Sequence, residues 1–594
     1  MLTWAIARTF GIGLKAADRP KRNLQYVMSI SKSKVVGLAA IIVVMLLQGL
    51  YVVKLNADFY RLHAPFFDSC SYTHQLATIS CLVQREGYQS GVRQSLNGNV
   101  ALPFLEMTAL AKIVSPSRAL GVWLQAFWLA LLAVSIYWYL VRYRAAPAWV
   151  GFSVTLPFIS FSQMYYWNGG LIDFRMDLSL YIFTSLVAVW YLVTYETDSK
   201  IPWLLAGIAA MLGCLARATA PVYMILMVGP LLAIRFWYGR GRRLDLALKT
   251  LVMVAPVLLS LVFFLLHNFH NLYFYYVTWS PHTFTHRSMI QSYPHLTMAL
   301  WHIGSEMVAC ALVAFAINLA MGSARLREID WKILWLALAG PLFLFLTSAA
   351  MNPFVSMPAI FGCLLFAYFP FRGVQPFFSR AWACALIGAL ALAPSIYYAL
   401  TPNGLPRTYR GPDTTHMAGF KAVVDLMSQD AAARGLHDAG YILPTTGDFN
   451  CMALDNVMIY EDGAMCPTAT VRSHGEGGCG DPRVLPSGVT LQFHHNFAFT
   501  ATDDLLWKIN VPGATDQEKM DNLVTMAQKS ADYLVLPDDP TLTWLEVNIA
   551  RNLMNVKTRE LKTRLLATGA YERIGEPNIV SPYETIEVYA RRQR

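Results

Sequence analysis

The chain has 594 residues, 55% of them hydrophobic and only 14% charged, with a mean hydropathy of +0.40 and a net charge of +10. A soluble chain carries about 25% charged residues, and the deficit here falls in repeated apolar blocks of membrane-spanning length, which excludes an ordinary soluble protein. Much of the positive charge lies in short loops between those blocks, where it sets membrane orientation and gives no support to nucleic-acid binding.

Arg8, Lys15, Arg19, Lys21, Arg22, Lys32 and Lys34 precede the first long apolar run, Val35–Val53, which ends at Lys54 without a small-residue cleavage site. That pattern fits a retained first helix better than a signal peptide. About eleven spans follow from the hydropathy, near 35–53, 119–141, 147–165, 178–195, 201–217, 220–236, 247–267, 297–320, 331–349, 353–371 and 381–400. With the basic N-terminus cytoplasmic, Arg142, Arg144, Lys200, Arg235, Arg240, Arg242, Arg243, Lys249, Arg325, Arg327, Lys332, Arg372 and Arg380 all fall on the cytoplasmic side. An odd number of spans then places residues 401–594 outside. The expected architecture is a polytopic all-α membrane domain over residues 1–400 and a C-terminal extracytoplasmic α/β or α+β domain over 401–594.

Four regions face outward in this topology. In 54–118, Tyr72–Arg85 and Ala101–Ile113 alternate apolar and polar faces at helical spacing, as in helices lying along the membrane interface. Tyr165–Asp177, YYWNGGLIDFRMD, joins two apolar runs, and 268–295 is rich in aromatics and histidines. The C-terminal region shows strand-like runs at Gly440–Pro444, Val489–Phe493, Ala531–Leu536 and Thr585–Tyr589, with helical stretches at 417–427, 516–530 and around 543–568. Cys451, Cys466 and Cys479 lie in what reads as a loop-rich segment. An oxidising compartment permits a disulfide between two of them, or one to Cys70 or Cys81.

Carboxylates beside membrane-embedded segments read as functional by default. Asp68 follows the first span, and Asp173 and Asp177 precede the fourth. Delivered to one cleft, such groups activate an acceptor hydroxyl or hold a cation against a phosphate. Arg61, Arg175 and Arg217 lie on the same side as cations suited to a phosphate, and His63 and His74 as proton carriers or ligands. His286 and Arg287 of the third outer region are further substrate-binding candidates. Each has a structural alternative: Asp68 as the cap of a helix starting near Ser69–Tyr72, Asp173 and Asp177 as partners of Arg175 or as a cap, and Arg217 as a snorkelling cation. No HExxH, P-loop or GxSxG signature is present.

The basic N-terminus and first span, the outer loop with Asp68-Ser69-Cys70-Ser71-Tyr72 and the helices after it resemble the membrane glycosyltransferases of the GT-C fold. The closest resemblance is to the bacterial branch that modifies lipopolysaccharide and related glycans, of the aminoarabinose transferase and protein mannosyltransferase types. The resemblance implies transfer of a glycosyl group from a polyprenyl-phosphate donor to a glycan, lipid or protein acceptor at the outer face of the bacterial inner membrane. It implies Asp68 as the base and Asp173-Phe174-Arg175-Met176-Asp177 as a second acidic site. Tyr72 belongs to the same first-loop motif. Ala531-Asp532-Tyr533-Leu534-Val535-Leu536 is similar to a strand of the C-terminal domains that such enzymes carry. The commoner pair of acidic residues in the first loop is missing, because Ser69 follows Asp68. Two routes stay open: a divalent cation (Mg2+ or Mn2+) held by Asp68 and Asp173, or a metal-free reaction in which arginines stabilise the leaving phosphate, which the departure favours. The rival readings are a lipid-linked glycan transporter or flippase, which predicts internal repeats and charges near mid-membrane, and a non-catalytic factor of envelope glycan assembly.

Overall fold

The computed structural model describes residues 32–63, 67–96, 100–111, 113–114, 117–165, 170–172, 174, 176–217, 219–273, 329–347, 357–368, 416–444, 451–460, 483–497, 515–538, 559–581 and 584–592, with isolated positions at 312–320, 389 and 393. The expected spans at 297–320 and 381–400 and the boundary at Thr401–Pro406 fall outside this set or are touched at only a few positions. So do Cys466, Cys479 and most of the aromatic region 268–295.

The N-terminal part is all helix. Its elements are α1 (Lys32–Leu62), α2 (Phe67–Glu86), α3 (Tyr88–Leu96), α4 (Leu102–Leu110) and α5 (Arg118–Trp138), which runs on into a π-helical turn, Tyr139–Tyr143. Then come α6 (Ala148–Ile159), α7 (Asp177–Val193), α8 (Ile201–Ala216), α9 (Ala220–Tyr238), α10 (Arg243–Tyr273), α11 (Trp331–Thr347) and α12 (Met357–Tyr368). Among the described residues, four helices are long and apolar enough to cross a membrane, those beginning at Lys32, Arg118, Ala220 and Arg243. This corrects the expected count of about eleven. α6, α7 and α8 are apolar but only 12, 17 and 16 residues long, because polar loops cut into the ends of the hydropathic runs.

Burial explains the arrangement. On α1 only one stripe is buried, Ile41, Met45, Gln48, Gly49, Val52, Asn56, Phe59 and Tyr60. Val36, Ile42, Val43, Leu46, Leu47 and Leu50 are exposed on the remaining surface, as suits a helix at the edge of a bundle surrounded by lipid. α7 is apolar on every side and buried on nearly every side, which makes it the central helix. The end of the bundle that holds the basic loops is closed by cations on aromatic faces. The Arg235 guanidinium donates to Thr194 Oγ1 and its carbonyl at 2.7 and 2.8 Å and lies 4.3 Å from the Tyr195 ring centroid. Lys332 approaches the same ring at 4.5 Å. Residues that the charge count assigns to the cytoplasm therefore meet at one end.

Pro230 inside α9 supplies no N–H to the carbonyl of Leu226, one turn earlier. The Trp335 indole of α11 donates to that carbonyl at 3.0 Å and to Met227 O at 3.1 Å. A helix-to-helix bond thus replaces the one that proline removes.

The C-terminal part is an open α/β sheet. α13 (Met417–Ala433), β1 (Asp438–Pro444), α14 (Cys451–Tyr460), β2 (Arg483–Val484), β3 (Thr490–Phe497), α15 (Asp516–Ser530), β4 (Tyr533–Pro537), β5 (Tyr571–Ser581) and β6 (Glu584–Arg591) form it, with one more helix at 559–567. The strand order is β2-β3-β1-β4-β6-β5, with β1 parallel to β3 and β4 and the other pairs antiparallel. Alternate residues face opposite layers: Tyr441, Leu443, Tyr533 and Val535 pack on α13 and α14, while Ile442, Leu534 and Leu536 pack on α15 and the 559–567 helix. Thr515 and Glu518 form a reciprocal capping box that starts α15. Cys451, expected in a loop, opens α14 instead, whose buried Ala453, Leu454, Val457 and Met458 recur at helical spacing. Cys81 is disulfide-bonded, as an oxidising outer compartment allows.

Trp335→Phe leaves the Leu226 carbonyl without its donor and is expected to cost about 1–3 kcal/mol of stability. In a Pro230→Ala background, where residue 230 regains its N–H, the loss shrinks. Thermal unfolding of the four purified variants in detergent measures both.

Candidate functional site

The end opposite the basic loops is assembled around irregular backbone between α6 and α7. Buried backbone must find partners, and two polar residues on the buried stripe of α1 provide them. Gln48 Nε2 donates to Ile159 O at 2.8 Å and to Tyr165 Oη at 3.0 Å. Asn56 Nδ2 donates to Ile172 O at 2.5 Å. Ser160 Oγ lies 2.9 Å from Tyr165 Oη, Leu171 N donates to Met164 O at 2.7 Å, and Tyr181 Oη donates to Phe158 O at 2.7 Å. Gln48 lies within the first apolar run and Asn56 just past its end, eight residues on, and both fall on the buried stripe of α1. That was the readable signal for this role.

A satellite core ties this connection to the first outer loop. Leu76 and Ile79 of α2, Phe104 and Met107 of α4, and Phe174 and Met176 pack together, with Tyr72, Leu120 and Leu124 against them. Phe104 contacts the rings of Tyr72 and Phe174, at centroid distances of 6.2 and 6.4 Å. Phe174 rests on Gly121 of α5 so closely that a Cβ there would stand 2.3 Å from the ring. The N–H of Ala101, just before α4, donates to Leu215 O at the end of α8 at 2.8 Å.

Asp68 is the second residue of α2, which begins at Phe67, so it is inside the first turn and is not the cap of a helix starting near Ser69. A carboxylate in a first turn is favoured by the helix dipole. The Asp68 side chain, Asp173, Arg175, His286 and Arg287 lie outside the described residues. Asp177 is the first residue of α7 and fully buried, and Arg217 Nη1 stands 3.0 Å from its Oδ1. Arg217 reaches it because the chain turns extended at that residue (φ −155°, ψ 130°) between α8 and α9. Arg61 is exposed in the last turn of α1, and His63 is half-buried with its ring 4.8 Å from that of Phe59. Tyr72 is half-buried in the satellite core. His74 is buried and meets Asp455 of the C-terminal domain. Among the described residues no group of three or more His, Cys, Asp or Glu side chains could hold a metal ion.

Two groups at this end carried no sequence signal strong enough to single them out. Arg118, the first residue of α5, lies 4.3 Å from the Tyr60 ring centroid on α1. Glu106 of α4 accepts a 2.6 Å hydrogen bond from Trp128 Nε1. Burial pushes the Glu106 carboxyl up to about 7, against the lowering effect of that bond.

The chain matches no protein-family model and no curated protein. It is similar to two crystal structures of ArnT from Cupriavidus metallidurans. One is bound to undecaprenyl phosphate (14% identity, TM-score 0.47) and one is in the apo state (14%, 0.45); each similarity covers 92% of this chain and 97% of that one. A likeness of that size establishes neither a shared family nor a shared reaction.

Two outcomes test the site's construction. Arg217→Met strands a fully buried carboxylate and is expected to destabilise the protein by about 3–5 kcal/mol, with partial recovery in Asp177→Asn/Arg217→Met; thermal unfolding reads both. Because folding raises the Glu106 pKa, the folded state holds a proton that the unfolded state has lost between roughly pH 4.5 and 7. Stability therefore falls as pH rises through that window, and Glu106→Gln flattens this part of the unfolding profile.

Proposed function

We propose that the chain is a membrane glycosyltransferase that moves a glycosyl group from a polyprenyl-phosphate sugar to a glycan, lipid or protein acceptor. The observation that carries this reading is the satellite core. It fastens the helix whose first turn contains Asp68 to Phe174 and Met176, just before α7, at one end of an apolar helix bundle. The first loop and the α6–α7 connection, which supply the candidate acidic residues, are thereby packed on one another. The sequence resemblance points the same way.

In this reading the helix bundle crosses the bacterial inner membrane several times, with the N-terminus cytoplasmic and residues 401–594 outside. The donor enters from the outer leaflet. Asp68 accepts the acceptor's hydroxyl proton while that oxygen attacks the anomeric carbon. The bond from that carbon to the phosphate oxygen breaks, and polyprenyl phosphate leaves with the electron pair. One displacement inverts the anomeric configuration and needs no covalent intermediate.

Cations stabilise the charge that builds on the departing phosphate. Arg61 and Arg217 are assigned to that task, and Arg175, His286 and Arg287 extend the binding surface. Asp173 contacts acceptor or donor; if a divalent cation takes part, Asp68 and Asp173 are its ligands. Tyr72 and His63 shape the first-loop wall.

Purified protein supplied with defined polyprenyl-phosphate sugars is expected to transfer sugar, and Asp68→Asn to lower the rate by 100-fold or more, on the order expected for loss of a general base. Chelator in the same assay reports metal use. Full transfer by a folded Asp68→Asn protein sinks the assigned base. Reporter fusions after residues 241 and 410 are expected to read cytoplasmic and extracytoplasmic respectively.

A further inference from the structure

The outer-loop helix and the C-terminal domain are joined by three buried ionisable groups. α14 packs against α2, and His74 Nδ1 of α2 contacts Asp455 Oδ2 of α14. Arg483 of β2 holds the same carboxylate from the other side, with Nε on Oδ1 at 2.6 Å and Nη2 on Oδ2 at 3.0 Å. The three side chains are 2%, 6% and 2% exposed for His74, Asp455 and Arg483. Burial alone would raise the Asp455 carboxyl, yet Arg483 and His74 beside it hold it well below the usual carboxylate range.

The chemistry of this cluster is directional. Arg483 already holds Asp455 through two hydrogen bonds, and the His74 imidazole meets the same carboxylate from α2. Both ring nitrogens of His74 are buried, and Nδ1 is the one that faces Asp455. Buried ionic groups of this kind add little net stability compared with apolar packing. They do impose geometry, because the donor and the carboxylate have to meet in one orientation. His74 lies between Tyr72 and Leu76, which pack with Phe104, Phe174 and Met176. A torque on α2 about its axis therefore acts on the satellite core and on the turn that carries Asp68.

We propose that Asp455 is a positioning residue: through His74 it sets the rotation of α2, making the C-terminal domain a required part of the outer-face site. The inference rests on the glycosyltransferase reading for its catalytic consequence and on geometry for its structural one. The test uses the full-length protein in detergent. Asp455→Asn leaves Arg483 uncompensated in the sheet and risks unfolding it, so the decisive variants are His74→Ala and His74→Asn. The asparagine amide places an N–H near the position of Nδ1–H.

Hydrogen exchange across residues 67–86 is expected to quicken in His74→Ala and to return towards wild type in His74→Asn. In the transfer assay His74→Ala is expected to lower kcat on the order of tenfold to a hundredfold, the scale of a small misplacement of catalytic groups. KM for the donor stays within about threefold of wild type, and His74→Asn recovers most of the rate. Unchanged exchange in His74→Ala overturns the proposal, as does equal damage from the two substitutions. The exchange experiment needs no substrate, so it decides the coupling even if the wild-type protein transfers no sugar.

Discussion

Irregular backbone buried at the end of an apolar bundle is the constraint on which this structure turns. In lipid an unsatisfied carbonyl costs several kcal/mol, so a non-helical connection there survives only when protein groups meet it. Here Gln48 and Asn56 of the first helix meet the carbonyls of Ile159 and Ile172. They hold the connection on the side of α1 that faces protein. Everything else at this end follows from that placement: Phe174 and Met176 are presented to α2 and α4, and Asp177 begins α7 beside the break between α8 and α9. The connection is fastened at Ile159 and Ile172 through its own main chain.

The same end is also coupled to the domain outside the bundle. Helices α2 and α4 rest on the bundle through the satellite core and the Ala101–Leu215 bond, while α2 meets α14 through His74 and Asp455. Sheet, outer helices and spans thus form a relay of packed layers with no exposed hinge among the described contacts. The C-terminal domain keeps its own cores on both faces of the sheet. Among the described residues it meets the outer helix through the pairing of α14 with α2, where His74 contacts Asp455.

Local periodicity made much of this legible in the sequence. Strands β1 and β4 stand out as short runs buried on both faces, and α15 announces itself by Thr515 and Glu518. β5 was not readable because Gly575 and Pro577 interrupt it and its register against β6 shifts between Ile574 and Asn578 and again near Ser581. α14 was masked by neighbouring glycines and cysteines that read as loop, although its apolar spacing is helical. The membrane domain was legible as a class and less so as a count, since hydropathy runs on through residues that the helices themselves do not use. Asp68, Asp177 and Arg217 stood out as charges beside spans. That Asp177 meets Arg217, or His74 meets Asp455, depends on how distant segments pack, and no local pattern encodes it.

The Asp177–Arg217 pair fixes the junction of α7, α8 and α9. Asp177 has no exposure, so withdrawing Arg217 from it would leave a bare charge in a low-dielectric environment, a cost of several kcal/mol. The guanidinium reaches Asp177 because the chain is extended at Arg217, between α8 and α9. Asp177 opens α7 and Arg217 closes α8, so the ion pair ties the start of the central helix to the break beside it and fixes where each begins or ends.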